Sequence, residues 1–93
     1  MTAIPLLGAC SLLILMKGRR ILVEEMDEAI YLLEEEWPVK SGAHYWRAVR
    51  SCHLARLRDG PAAVAYENMI AACLEAGVRH EVVRSFPDDQ TTE

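Results

Sequence analysis

The side chains best suited to bind a metal ion are scattered along the chain: His44, Cys52, His53, Cys73 and His80. Zinc sites usually contain closely spaced ligand pairs, such as Cys-x2-Cys or His-x3-His, because such pairs set tetrahedral geometry. Cys52 and His53 are adjacent, so on a helix their side chains point about 100° apart. His44 and Cys52 could share a helix face, but nothing completes the ligand set. The sequence therefore predicts no metal site and no cofactor.

Nucleophilic catalysis needs a serine or cysteine with a base within hydrogen-bond reach, usually on a strained or exposed turn. Ser51 and Cys52 instead fall in the middle of a predicted helix, and His53 should point away from Cys52. The run Glu34-Glu35-Glu36 is typical of a solvated helix face. No GxSxG, HExxH, phosphate-loop or dinucleotide-binding motif occurs. We therefore predict that the protein has no catalytic residues and is not an enzyme.

Length and composition predict one small folded domain. The chain has 93 residues, of which 52% are hydrophobic, and a formal net charge of -4, which is unlike a basic nucleic-acid-binding domain. Its three cysteines have no Cys-x2-Cys spacing and indicate small buried side chains in a reducing compartment. We expect a single α+β domain over residues 1–83, a disordered polar tail over residues 84–93, and a cytoplasmic location.

An apolar segment lies near the N-terminus, from Ala3 to Met16. Within it, Leu7-Gly8-Ala9-Cys10 resembles a bacterial lipoprotein cleavage site, so a lipid-anchored or exported protein is one alternative. The basic residues Lys17, Arg19 and Arg20 follow the segment and none precedes it, which reverses the order in a signal peptide. The segment is also shorter than the ~20 residues that a helix needs to span a bilayer. We therefore predict a buried strand and no membrane association.

The elements predicted next are a β-hairpin and a first helix. The apolar runs Ser11–Met16 and Ile21–Val23 flank Lys17-Gly18, where glycine can adopt the positive φ of a tight turn. The first helix has apolar residues at helical spacing, namely Met26, Ala29, Ile30, Leu33 and Trp37. Because Pro38 keeps the preceding residue out of the α region, the helix should stop at Trp37, which we expect to anchor the core.

Two further helices complete the predicted fold. The second begins at Ser41 or Gly42, and the third runs from Pro61 to a stop at Gly77. The predicted inner face of the second helix consists of Tyr45, Ala48, Val49, Cys52, Ala55 and Leu57. Residues 78–83 could form a short third strand beside the hairpin. The fold class is therefore α+β, with a hairpin followed by three helices.

The charges are segregated between the first two helices. Seven acidic and no basic residues lie from Glu24 to Glu36, whereas five basic and no acidic residues lie from Lys40 to Arg58. Complementary polar faces on neighbouring helices would explain the pattern, and charged docking surfaces are the alternative. Phosphate contacts from the second helix, through Arg47, Arg50, Arg56 and Arg58, form a nucleic-acid-binding alternative. We disfavour it, because the third helix carries only acidic charges.

Two sets of residues could contact other proteins. Tyr45 and Trp46 are adjacent and cannot both face one core, so Trp46 is either a rim residue over the hairpin or a partner-binding anchor beside Arg47 and Arg50. Leu13 and Leu15 belong to a strand that is apolar on both faces. Three short helices should cover only one side of the sheet, so we expect a homodimer, with residues 3–10 folding back over the exposed side as the alternative.

The order of several residue groups resembles a small bacterial family known as domain of unknown function 982, over about residues 21–83. The matching groups are Glu28-Ala29, Leu32-Leu33, Trp37-Pro38, Gly42, Tyr45, Ala48, Cys52, Gly60, Ala65, Met69-Ile70-Ala71-Ala72, Glu75-Ala76 and Val78. The resemblance implies the hairpin-plus-helices fold and no activity. The chain departs from the family at Glu25, where a Ser or Thr cap is usual, at Tyr66, where Arg is usual, and at Met69, where Phe is common. A function that depended on that arginine would be absent here.

Together these patterns predict a small interaction or regulatory protein that acts through protein contacts. The partner would be a second copy of the chain or another, unidentified protein. Nucleic-acid association and lipid anchoring or export are the alternatives. The residues predicted to contact a partner are Trp46, Arg47, Arg50, Leu13 and Leu15.

Overall fold

A computed structural model describes residues 10–84, and side chains within residues 11–83. The elements in chain order are β1 (Cys10–Met16), β2 (Arg19–Val23), α1 (Met26–Tyr31), a π-helical segment (Leu32–Glu36), α2 (Ala43–Arg56), α3 (Ala62–Ala76) and β3 (Arg79–Arg84). The predicted α+β class, with a hairpin, three helices and a last strand, is confirmed. Half of the predicted N-terminal apolar segment, residues 3–9, lies outside the described residues, and with it all of the possible fold-back except Cys10, which belongs to β1; residues 85–93 of the tail lie outside as well.

The three strands form one antiparallel sheet in the order β2-β1-β3. The hairpin turn has positive φ at both central residues, 54° at Lys17 and 70° at Gly18, as a type I′ turn requires. The last strand pairs with the free side of β1 and ends at Arg84, so that residue belongs to the sheet and not to the predicted tail. The strand β1 is therefore central, and its side chains alternate between the two faces of the sheet.

The helices pack against one face of the sheet. Leu12 and Ile14 of β1 and Val23 of β2 are fully buried on that face. Trp37 is 3% exposed and has an extended backbone, with ψ at 134°, so its predicted roles as helix stop and core residue are confirmed. The last turn of the first helix is π-helical, and both Leu32 and Leu33 are buried there.

The first helix has Glu25 as its N-cap residue, where the sequence has neither serine nor threonine. The Glu28 carboxylate forms the reciprocal contact of a capping box, because its Oε1 accepts hydrogen bonds from the backbone N–H groups of the N-cap residue Glu25 at 3.1 Å and of Glu24, which precedes it, at 2.8 Å. The departure at Glu25 therefore does not leave the helix uncapped.

The helices α2 and α3 pack against each other and complete the core. Four residues of the predicted inner face of α2 are buried and a fifth is half-buried: Tyr45, Ala48, Cys52, Ala55 and Val49. The prediction for Leu57 is wrong, since its side chain is 68% exposed. Helical spacing of about 100° per residue in fact places Leu57 on the side of α2 opposite Cys52 and Ala55, so its exposure agrees with the helical phase. Gly77 ends α3 with φ at 71°, as predicted.

Candidate functional site

The outer side of α2 carries an exposed tryptophan. Trp46 is 58% exposed, whereas its neighbour Tyr45 is 3% exposed. The two rings pack edge to face, with centroids 4.9 Å apart, so the buried ring restricts the exposed one. Tyr45 is itself fixed, because its hydroxyl donates a hydrogen bond of 2.9 Å to the backbone carbonyl of Leu33. A large apolar side chain is thus held in a defined position at the surface.

Helical spacing places further side chains around Trp46. Arg50 and Leu54 follow it at successive intervals of four residues, and Arg47 lies one turn before Arg50, so all project from the side opposite the core. Leu54 is 38% exposed, and the exposed Leu57 extends the row just beyond the helix end. We call the set of Trp46, Arg47, Arg50, Leu54 and Leu57 the α2 outer face. Along the helix, the two arginines lie between Trp46 at one end and the two leucines at the other.

The side of α2 that borders the acidic residues Glu24 to Glu36 makes two polar contacts with them, an arginine–carboxylate ion pair and a histidine–carboxylate hydrogen bond. Arg56 Nε lies 2.8 Å from Asp27 Oδ1, and His53 Nε2 lies 2.7 Å from Glu34 Oε2. These contacts support the interpretation that the segregated charges make complementary faces. All four side chains are largely exposed, so the pairs orient the helices more than they stabilise them.

Other basic residues of the region have no such partner. Within the described part of the chain, Arg47, Arg50 and Arg58 form no ion pair with a carboxylate. Complementarity of α2 with α1 and the π-helical segment therefore accounts for Arg56 and His53 only. The two arginines of the α2 outer face present unneutralised positive charge beside exposed apolar groups.

The start of α2 is fixed by a contact that sequence reasoning missed. The Glu75 carboxylate of α3 accepts hydrogen bonds from the backbone N–H groups of His44 at 3.1 Å and Tyr45 at 3.0 Å. Negative charge is favourable at this positive end of the helix dipole. Gly42 has φ at 105°, and a Cβ there would lie 2.5 Å from Glu75 Oε1. Both residues occur in the family resemblance, which was the one available signal for this pair.

The described residues show no arrangement suited to nucleophilic or metal chemistry. Burial raises the pKa of the Cys52 thiol and of the Cys73 thiol to about 12, so both are protonated near neutral pH. His53 is engaged by Glu34. No group of three or more His, Cys, Asp or Glu side chains in residues 10–84 could hold a metal ion. The absence of catalysis and of a cofactor stays a prediction.

Burial also acts on Tyr45. Desolvation raises the pKa of its hydroxyl, and the nearby carboxylate of Glu34 raises it further. The hydroxyl therefore stays protonated and keeps donating its hydrogen bond at neutral pH. Through this hydrogen bond the hydroxyl positions α2 against the π-helical segment.

The predicted contact residues fall on two separate surfaces. Trp46, Arg47 and Arg50 lie together on the α2 outer face. Leu13 and Leu15 lie on the face of the sheet that is turned away from the helices, and both are half-buried. Leu54 and Leu57 were missed as surface residues, although helical spacing of about 100° per residue places both on the same side as Trp46 and Arg50.

Fold and surfaces together define a small α+β domain with a three-stranded antiparallel sheet, helices on one face of that sheet, and an arginine-and-tryptophan surface on its second long helix. The chain matches the family model described as "Protein of unknown function (DUF982)" over residues 11–80, and it belongs to that family. The resemblance predicted from the sequence is thus confirmed, and it extends into β1. Neither a curated protein nor a solved structure matches the chain.

A helix that spans a membrane must be both long and apolar. None of the helices among the described residues meets both conditions.

Proposed function

We propose that this protein is a non-catalytic interaction or regulatory protein of the cytoplasm, and that the α2 outer face binds a protein segment that is both acidic and apolar. The observation that carries the proposal is the exposure of Trp46 beside Arg47 and Arg50, neither of which has an ion pair within the described residues. Tryptophan and arginine are the residue types most enriched among interface hot spots.

The shape of the surface indicates the kind of partner. The row from Trp46 to Leu57 follows the axis of α2 over about 16 Å, at about 1.5 Å per residue. Exposed apolar groups at both ends favour a partner that also presents apolar side chains. The two arginines between them favour carboxylates, which guanidinium groups bind in a two-pronged geometry. An acidic amphipathic helix of about three turns satisfies both demands.

The position of the surface suits binding with little rearrangement. Glu75 fixes the start of α2, and Tyr45 joins the helix to the first helical segment through Leu33. The backbone under Trp46 and Arg50 is therefore supported on two sides. A preorganised surface loses less conformational entropy on binding than a mobile one, which favours affinity from a small contact area.

Affinity capture from the native host tests the proposal with three forms of the purified protein. The wild type is compared with Trp46→Ala/Arg50→Glu and with a matched control, Leu74→Ala/Glu67→Arg, which changes one exposed apolar and one exposed charged residue of α3. We expect a protein that the wild type and the control retain and the α2 variant loses. The purified partner should then bind the α2 variant at least about tenfold more weakly, a difference of about 1.4 kcal/mol. Identical retention by all three forms would refute the proposal.

Weak nucleic-acid association is a second candidate, because Arg47, Arg50 and Arg58 are exposed and have no ion pair within residues 10–84. Three arginines give few phosphate contacts, and Arg56 is engaged by Asp27. Fluorescence anisotropy with a short DNA duplex and a single strand, at about 50 mM and about 200 mM salt, separates the two candidates. We expect no saturable binding. Salt-sensitive binding that Arg47→Glu/Arg50→Glu abolishes would favour this candidate over protein contacts.

A further inference from the structure

The face of the sheet opposite the helices has an apolar centre that does not belong to the core. Leu13 and Leu15 of β1, Leu22 of β2 and Val83 of β3 lie on it. Leu22 is 44% exposed and the other three are half-buried. None of the described helices packs on this side. We call this side of the sheet the outer sheet face.

Charged side chains flank the apolar centre in a defined order. Residues paired across antiparallel strands point to the same face. The pairing therefore forms two parallel rows across the outer sheet face. One row contains Glu81, Leu13 and Leu22, and the next contains Arg79, Leu15 and Arg20. At the β3 end of these rows, the carboxylate of Glu81 therefore lies beside the guanidinium of Arg79 in the neighbouring row.

We propose that the protein forms a homodimer in which two outer sheet faces stack about a two-fold axis that runs across the strands between these rows. This axis places Leu13 against Leu15 of the partner subunit. It also places Glu81 against the partner subunit's Arg79, and by symmetry the opposite pair forms as well. Leu22 meets the partner's Arg20, whose aliphatic stem can cover an apolar neighbour.

The alternative two-fold axis for stacking the same faces runs along β1. It would place Arg79 against the partner subunit's Arg20 and Glu81 against the partner's Leu22. The first contact opposes like charges and the second buries a carboxylate against an apolar group, so both are unfavourable. The order of charges on β3 therefore selects one of the two arrangements. The self-complementary order of Glu81 and Arg79, which a two-fold axis brings into register with itself, and not the apolar area alone, favours a second copy of the chain as the occupant.

The size of the face predicts a reversible dimer. Three strands spaced about 4.8 Å apart and about 20 Å long cover a footprint of roughly 300 Å² per copy. A standard interface buries about 800 Å² of accessible surface per partner. The apolar centre supplies a driving force, but the small footprint limits it. Dimerisation should consequently depend on protein concentration.

Sedimentation equilibrium of the full chain, from about 10 µM to about 500 µM, tests the proposal. The weight-average mass should rise from the monomer value of 10.5 kDa towards twice that value. Arg79→Glu and Glu81→Arg each place like charges opposite one another in the dimer. Each should weaken association at least about tenfold. The double exchange, Arg79→Glu with Glu81→Arg, should restore association to within about threefold of the wild type, because it only inverts the pair.

The controls separate this pairing from a general charge effect. Glu67→Arg makes the same charge change as Glu81→Arg at an exposed site on α3, so it should leave association unchanged. Chemical denaturation of each variant verifies that the monomer remains folded. A monomer at every concentration would overturn the proposal, as would single charge reversals that leave association unchanged. Failure of the double exchange to restore association would contradict the assigned axis.

Discussion

Trp37 is the residue whose replacement most directly tests the core. Its side chain is 3% exposed, at the point where the first helical segment gives way to extended chain. A buried tryptophan removes roughly 150–250 Å² from water, and replacing a buried large aromatic by alanine usually costs about 3–5 kcal/mol. Because a domain of this size is stabilised by only about 5–15 kcal/mol in total, Trp37→Ala should remove a large part of the free energy of unfolding.

The indole nitrogen refines that expectation. Trp37 Nε1 is buried and has no hydrogen-bond partner among the described residues. An unpaired buried donor costs about 1–3 kcal/mol, so Trp37→Phe loses part of the apolar contact but also removes this penalty. We therefore expect Trp37→Phe to destabilise the protein by less than about 1.5 kcal/mol, well below the cost of Trp37→Ala. If Trp37→Ala costs clearly more than Trp37→Phe, the buried volume of the ring is what stabilises the core.

Urea denaturation, monitored by far-ultraviolet circular dichroism, measures the free energy of unfolding of each variant. The second tryptophan supplies a matched control, because Trp46 is 58% exposed and Trp46→Ala should cost less than about 1 kcal/mol. An equal loss for Trp37→Ala and Trp46→Ala would refute the packing described above. A loss under about 1 kcal/mol for Trp37→Ala would do the same, since it would mean that the side chain is not a core residue.

Three further predictions concern the start of α2 and the buried thiols. Gly42→Ala should lower the free energy of unfolding by about 1–3 kcal/mol, because it strains a positive φ and displaces the Glu75 carboxylate. As a control, Gly77→Ala should cost about 1 kcal/mol, because it strains a positive φ but has nothing within 4 Å of the new Cβ. Equal losses for the two variants would contradict the steric conflict between a side chain at position 42 and Glu75. In a Cys10→Ser background, Ellman's reagent should label neither Cys52 nor Cys73 in the native protein at pH 8 and should label both in denaturant; rapid native labelling would contradict their burial. Both thiol pKa values are raised from 9.0 to about 12 in the folded state, so the thiols of the unfolded state lose their protons first, and the free energy of unfolding should fall as pH rises from about 9 towards 12. The free energy of unfolding of Cys52→Ala should depend less on pH across that window than that of the wild type. An unchanged pH dependence would contradict the raised pKa of Cys52.

The sheet and its turn followed from local chemistry. Lys17-Gly18 between two apolar runs is a short-range signal, and both residues adopt the positive φ that a two-residue hairpin requires. Trp37 followed from a backbone rule, since the proline ring excludes the preceding residue from the α region. Such features depend on a few neighbouring residues, which is why the sequence alone was sufficient to predict them.

The missed features depend on contacts across the fold or on small changes of helical phase. The widening of the helix at Leu32–Glu36 changes the number of residues per turn, which a fixed period cannot anticipate. Leu57 was assigned to the core although it follows the buried Ala55 by two residues, which places it about 200° around the helix, on the exposed side. The hydrogen bonds from the start of α2 to Glu75 join residues far apart in the chain, and only the packing of α3 on α2 brings them together.

The candidate surfaces were predicted only in part. The sequence placed Trp46, Arg47 and Arg50 together, because helical spacing decides which residues share a face. It did not decide how the basic residues divide between the acidic segment and solvent. Which basic residues meet the acidic ones depends on which side of α2 packs against α1 and the π-helical segment. In the structure Arg56 pairs with Asp27, whereas Arg50 has no ion pair among the described residues.

Binding of the captured partner to the α2 outer face tests the central claim most directly. Isothermal titration of the purified partner into wild-type protein, Trp46→Ala and Arg50→Glu should give dissociation constants at least about tenfold higher for each variant. The affinity of the wild type should fall as salt rises, and that of Arg50→Glu should respond less. Equal affinities for the three proteins, with a binding enthalpy that no α2 substitution changes, would contradict the assignment of this surface.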